Sequence, residues 1–188
     1  MFGSRSLKNS PTPHINKMTT LSRYQDEIYL RSVSLRNLVN DVSFMLSRRL
    51  LRSRIHLKHN IPYDLMIDAD VDKLEQVFFN LITNSMNFIS SKSKSGSIYI
   101  RARIIPENKM SHIVINFEDD GPGIPTEIRE KIFDRGFSTI GGTGVGLAIV
   151  KSIILSHGGT IVVHQPRSRG ANFLIKLPQK RDIVNSCV

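Results

Sequence analysis

The run His112–Glu118 (HIVINFE) alternates apolar and polar residues and stops against Asp119-Asp120-Gly121-Pro122-Gly123. Alternation of period two, rich in β-branched residues, marks a half-buried strand. Glycine and proline in a row end it, because proline lacks an N–H for the ladder and glycine admits turn conformations. Glu118, Asp119 and Asp120 are therefore presented at a strand end, in a chain that carries 16 acids against 26 lysines and arginines. Ser97–Ile105 (SIYIRARII) has the same alternation and is a second strand.

Helical periodicity fills much of the rest. Leu35, Leu38, Val39, Val42, Met45 and Leu46 recur at spacings of three and four, and the helical pattern is read from Leu21 to Arg54. Asp70 to Ser90 is the clearest helix. Leu74, Val77, Phe78, Leu81, Ile82 and Ser85 form its buried side, and Lys73, Gln76, Asn80, Asn84 and Asn87 its opposite side. HLKHNIP is a short strand, TEIREKIF a short helix, and VGLAIVKSIILSH an apolar helix stopped by Gly158-Gly159. TIVVHQ and ANFLIKLP form a closing hairpin around PRSRG. This order predicts an α+β fold, a sheet with helices on one face, in place of alternating βαβ units.

Charge and cysteine content narrow the function. The net charge is +10, with basic clusters at Ser47–Arg54 (SRRLLRSR) and Pro178–Asp182 (PQKRD). Neither cluster has interleaved aromatics, and no helix-turn-helix or zinc-finger spacing is present, so nucleic acid is not read as the main ligand. A basic surface also suits polyphosphates and acidic partners. The one cysteine, Cys187, leaves no internal disulfide framework and fits a reducing compartment. No run approaches the roughly 18–20 apolar residues of a membrane helix. The expected location is cytoplasmic, including the inner face of a membrane through a partner or a missing N-terminal region.

Three stretches carry chemistry. GGTGVG (Gly141–Gly146) opens into a helix, so its backbone N–H groups and the helix dipole suit phosphate. It is not a Walker A loop, because no Lys-Ser/Thr follows, and it lacks the third glycine of a dinucleotide fingerprint. Asp119, held by a glycine turn, is a fixed acceptor for an exocyclic amine such as that of adenine; guanine presents a carbonyl there. The Asn80–Asn84–Asn87 stripe has poor helix propensity and offers side-chain oxygens, which suit Mg²⁺ beside a triphosphate. Taken singly, each stretch also has a plain reading: a tight helix entry, a solvated acidic turn, a polar helix face.

Their joint order is more specific. Asn80-x-x-x-Asn84, then DDGPGI, IFDRGFST and GTGVGLAIVK resemble the N, G1, F and G2 boxes of the GHKL ATPase superfamily. More closely they resemble the catalytic and ATP-binding domain of bacterial sensor histidine kinases, over about Ser34 to Pro178. The resemblance implies a Bergerat-type two-layer α/β sandwich with a mixed sheet. It implies ATP and Mg²⁺ as cofactors, with Asn84 as the metal-holding asparagine. Asn80 and Asn84 are then the catalytic pair. Asn80 stands where hydrolysing branches carry a general-base Glu, which argues against efficient ATP hydrolysis. Asp119 reads adenine, with Gly121 and Gly123 as the G1 glycines. Phe133 and Phe137 match the F box beside the ATP lid. Gly142, Thr143, Gly144, Val145, Gly146 and Leu147 fall in the G2 segment at the triphosphate. Asn87 is placed with the nucleotide contacts, although many members carry Lys or Arg there; Lys151 or Arg135 is the candidate replacement.

The chain also departs upstream. No stretch like His-Glu-x-x-x-Pro-Leu is present, and His14 lies in PTPHINK without helical periodicity. The division expected is a flexible leader over 1–20, a hairpin remnant over 21–33, the catalytic domain over 34–180 and a tail over 181–188. The function implied is transfer of the ATP γ-phosphoryl group to a histidine supplied in trans or by a missing segment, with a response regulator downstream. The alternatives are a non-catalytic ATP-binding module and an anti-sigma-type protein-serine kinase on the same fold.

Overall fold

The structure, a computed structural model, describes residues 28–107, 110–139, 141–164 and 169–179. The leader over 1–20 with His14, the start of the hairpin remnant over 21–27 and the tail over 181–188 lie outside the described residues.

Strand β1 (Arg31–Ser34) pairs antiparallel with β3 (Met66–Ala69) in a two-stranded ribbon. Helix α1 (Leu35–Arg52) begins at once, because the Ser34 hydroxyl accepts the Asn37 N–H at 3.3 Å and caps it. Its buried stripe is Leu35, Leu38, Val39, Val42, Leu46 and Leu50. Helix α2 (Val71–Lys92) is capped by Asp70, which accepts the Lys73 N–H at 3.2 Å. It buries Leu74, Val77, Phe78, Leu81, Ile82, Ser85, Met86 and Ile89. Full burial of each large apolar side chain contributes about 1.5–3 kcal/mol.

The main sheet has the order β2-β4-β5-β7-β6. Strand β2 (Ile55–Asn60) runs parallel to β4 (Gly96–Glu107); β5 (Met110–Asp119), β7 (Asn172–Gln179) and β6 (Thr160–Val163) complete it with antiparallel pairings. The sheet is mixed, as expected for this α+β fold. One face buries Ile98, Ile100, Ile113, Ile115, Phe117 and Ile175, toward the layer of α1, α2 and α3 (Gly146–Ser156). The register puts Tyr99, Arg101, Asn116 and Glu118 on the other, open face.

His157 ties two helix ends together. Its Nε2 accepts the Asp70 N–H at 3.1 Å, and its Nδ1 lies 2.8 Å from the Ile153 carbonyl. That pair of contacts requires the neutral tautomer with hydrogen on Nδ1.

Two expectations are corrected. Arg31–Ser34 is strand, not helix: the three-and-four spacing starts only at Leu35, and Ser34 is the cap that separates the two. TEIREKIF is not an α-helix but two single 3-10 turns, Thr126–Ile128 and Lys131–Phe133. A segment this short has little to set against the nucleation cost of a helix, and the turns bury Ile132 and Phe133 instead.

Candidate nucleotide site

The order of the sheet positions the site. Strand β5 lies between β4 and β7, so its C-terminal end opens at the middle of the sheet, beside the buried layer.

The three acids found there do three different things. Glu118 stays on the open face, where Arg101 reaches it at 2.6 Å and Asn116 at 2.7 Å. Asp120 accepts the Ser97 N–H at 2.8 Å and pins the start of β4. Asp119 turns inward and is 8% exposed. Its Oδ1 accepts the N–H groups of Gly121 and Ala171, each at 3.0 Å. Its Oδ2 accepts the Ser85 hydroxyl at 2.5 Å. A carboxylate oxygen has room for two donors, so Oδ2 keeps a free acceptor position within a fixed frame.

Glycines make that frame. A Cβ on Gly170 would lie 1.7 Å from the Asp119 carbonyl oxygen, and its φ of +115° is outside the range of ordinary side chains. Gly123 in turn has φ +82° and approaches the Gly170 carbonyl. The two backbones close on each other below the carboxylate.

Asp119 lines a cavity of about 330 Å³ together with Asn84, Phe88, Ile124, Leu147 and Phe173. That volume is at the lower end for small-molecule sites, and mostly apolar walls with one oriented polar group are their usual make-up. A flat heteroaromatic ring carrying an amine fits both.

The asparagine stripe meets the glycine-rich segment. A Cβ on Gly146 would lie 3.6 Å from Asn84 Nδ2 and 3.9 Å from Asn80 Cγ. The first residue of α3 thus abuts both amides. Asn80 Nδ2 is buried and has no hydrogen-bond partner among the described residues. An unpaired buried amide costs about 1–3 kcal/mol, which a ligand at this corner would offset. Asn87 is exposed and does not line the cavity.

The glycine-rich segment before α3 folds back on its own glycines. Gly136 N–H donates to the Gly144 carbonyl at 2.9 Å, and Gly142 N–H to the Ser138 hydroxyl at 2.9 Å. Gly144, with φ +65°, has room for no Cβ: it would meet the Gly136 carbonyl carbon at 2.4 Å. Thr143 is exposed and Val145 half-buried, and neither lines the cavity. Phe133 is buried edge-on against Phe173 at 6.4 Å, and Phe137 packs on the core. Both pack into the core instead of lining the cavity. Lys151 Nζ sits over the Phe133 ring at 5.4 Å, and Arg135 is exposed.

Sequence reasoning missed several contributors. The periodicity puts Ser85 on the buried face of α2 and gives it no task; a hydroxyl inside an apolar stripe is the one signal of its role. Phe88 and Lys92 continue the Asn84 face by one and two turns and line the cavity. Gly170 and Ala171 lay hidden in the closing hairpin.

The fold agrees with known proteins. Residues 69–181 match the family described as histidine kinase-, DNA gyrase B-, and HSP90-like ATPase. The chain belongs to this family, and its domain is the ATP-binding catalytic domain of the sensor-kinase type. It is 39% identical to hybrid signal transduction histidine kinase D of Dictyostelium discoideum over 61% of this chain and 8% of that protein. It is 28% identical to the sensor histidine kinase WalK of Bacillus subtilis over 89% of this chain and 28% of that protein. The chain therefore spans less than a third of these curated relatives. Among solved structures, the catalytic domain of histidine kinase ThkA superposes with a TM-score of 0.71 at 27% identity, over 80% of this chain and 96% of that one. Full-length ShkA in complex with AMPPNP gives 0.69 at 25% identity, over 82% of this chain and 32% of that one. No described helix is long and apolar enough to cross a membrane.

Proposed function

We propose that this domain binds Mg·ATP at the Asp119 cavity and supplies the γ-phosphoryl group to a histidine on a helical hairpin outside the described residues or on another protein. The observation that carries the reading is the Asp119 carboxylate, buried and oriented by three donors, with one acceptor position left beside an apolar cavity. ShkA, which shares this fold and was solved full-length in complex with AMPPNP, supports nucleotide binding.

Asp119 takes the exocyclic amine of adenine, and Phe88, Ile124 and Leu147 enclose the ring. Gly144 and Gly146 bring the backbone close to the phosphates, with the α3 N-terminus contributing positive dipole. Asn84 would hold Mg²⁺, with Asn80 beside it. Both donors are neutral amides, and no cluster of three metal-ligating His, Cys, Asp or Glu occurs among the described residues. A cation at these amides would need further oxygen ligands, such as those of the phosphates, and would neutralise their charge. Asn80 cannot accept a proton from water. An imidazole nitrogen needs no such base: it attacks Pγ, the bond from Pγ to the bridging oxygen breaks, and ADP leaves. The work of this domain is positioning and charge stabilisation. A response regulator then accepts the phosphoryl group, and the domain works in the cytoplasm.

The test is incubation with labelled ATP, alone and with a separately supplied histidine hairpin. Acid-labile, base-stable label should appear on the hairpin and not on the isolated chain. Stable label on the isolated chain, removed by His14→Ala, would contradict transfer in trans. No label on any hairpin, with ATP binding intact, would contradict the transferase reading.

A further inference from the structure

The cluster SRRLLRSR has no part in the nucleotide site. It forms the C-terminal half of α1, and the helix changes what surrounds it. Phe44, Arg48, Leu51 and Arg52 follow at spacings of four, three and one, on one outward face, with Met45 beside them. Phe44 is 81% exposed and Leu51 80%, although both are large and apolar. Arg48, Arg49, Arg52 and Arg54 are exposed, and none forms an ion pair among the described residues. Asp41, one turn nearer the N-terminus, is the only acid on α1.

Basic residues in a last turn complement the helix dipole. That accounts for Arg49 and Arg52. It does not account for two large apolar side chains left almost fully in water within a field of guanidinium groups. We infer that this face of α1 rests on a membrane surface rich in anionic phospholipid. Phe44, Leu51 and Met45 enter the headgroup boundary, and the arginines lie among the phosphates with their stems along the apolar edge.

The partner is selected by charge and shape. A second copy is disfavoured, because this face would meet its own four arginines and the chain already carries +10. The patch is the outer side of a helix, and no α1 residue lines the sheet-face groove or the nucleotide cavity. A convex, mixed apolar and cationic face without a pocket fits a deformable anionic surface better than a shaped protein groove. The orientation is compatible with the site. Helix α1 packs on α2 and β2, whereas α3, which opens at the glycine-rich segment, packs on α2 and β6. A domain seated on α1 keeps its nucleotide opening toward solvent.

The test is co-sedimentation of the full chain with vesicles of phosphatidylcholine alone or with a third phosphatidylglycerol, at low and high salt. The chain should partition at least tenfold more strongly onto the anionic vesicles, and salt should weaken this. Each guanidinium near such a surface is worth about fivefold, so Arg48→Glu with Arg52→Glu should lower partition by more than tenfold. Phe44→Ser with Leu51→Ser removes the apolar part without changing charge and should lower it severalfold. ATP affinity measured in the same variants without vesicles should be unchanged, which shows that the fold is intact. Equal binding to neutral and anionic vesicles, or variants that bind like the parent, would overturn the inference. So would capture by polyglutamate or RNA with no vesicle binding, which would make α1 a protein or nucleic-acid surface.

Discussion

Ser85 on α2 donates its hydroxyl hydrogen to Oδ2 of Asp119 at the end of β5, over 2.5 Å, and both residues are buried. This contact joins the helix that carries the asparagines to the strand that carries the base-reading acid. It also divides the carboxylate. Oδ1 is saturated by backbone, and Oδ2 holds one partner and one vacancy.

That division predicts different outcomes for the two residues. Ser85→Ala removes a hydrogen bond to a charged group, worth about 1.5–3 kcal/mol. Thermal or urea unfolding should show a loss of about that size. The two backbone donors still orient Asp119, so ATP affinity should change by less than about threefold. A Ser85→Ala protein that is fully stable but has lost ATP would place Ser85 in direct contact with nucleotide.

Glycines separate by what surrounds them. At Gly170 a methyl group would overlap the Asp119 carbonyl, and the φ of +115° admits no ordinary side chain. Gly170→Ala should cost more than about 4 kcal/mol and leave little folded protein. Gly141 also has a positive φ, +74°, but nothing lies within 4 Å of its Cβ position. Gly141→Ala should cost only the left-handed penalty, about 1–2 kcal/mol. Comparable losses at the two sites, read by thermal unfolding, would contradict the close approach at Asp119.

Acid sensitivity follows from the cap of α2. Burial opposes the charge of Asp70, but the N–H donors of Tyr29 and Lys73, then the charge of Lys73, outweigh it and hold its carboxyl below the usual value of 3.8. A carboxyl depressed in the folded state adds stability that is complete above its unfolded pKa. It is lost as pH falls through the folded one. Asp70→Asn keeps a capping oxygen but removes the charge at the helix N-terminus, and should therefore cost about 0.3–1 kcal/mol at pH 6. The gap between parent and variant should close below about pH 4. Urea unfolding across that range checks it, and a gap that widens in acid would have the sign wrong.

The sequence was most legible where the signal was local. Alternation in HIVINFE located Asp119 at a strand end, and the three-and-four spacing of Leu74 to Ile82 located α2 to within two residues at its C-terminus. What escaped was non-local or too short. Strand β3 has four residues and is made by pairing with β1, not by its own alternation. The neighbourhood of β5 and β7, which puts Ala171 beside Asp119, crosses 52 positions of chain. Ser85 looked like one more member of a buried stripe, because only the folded sheet reveals what faces it. The basic cluster looked free of aromatics in linear order. The helix brings Phe44 one turn from Arg48.

Whether the Asp119 cavity reads adenine is decided by calorimetry with Mg·ATP and Mg·GTP on the parent and Asp119→Asn. The parent should bind ATP and discriminate strongly against GTP. Asp119→Asn keeps the size of the side chain but exchanges a charged acceptor for an amide, and should weaken ATP by about 1.5–3 kcal/mol. Its preference over GTP should shrink accordingly. Unchanged ATP affinity in the variant, or equal affinity of the parent for both nucleotides, would contradict the account.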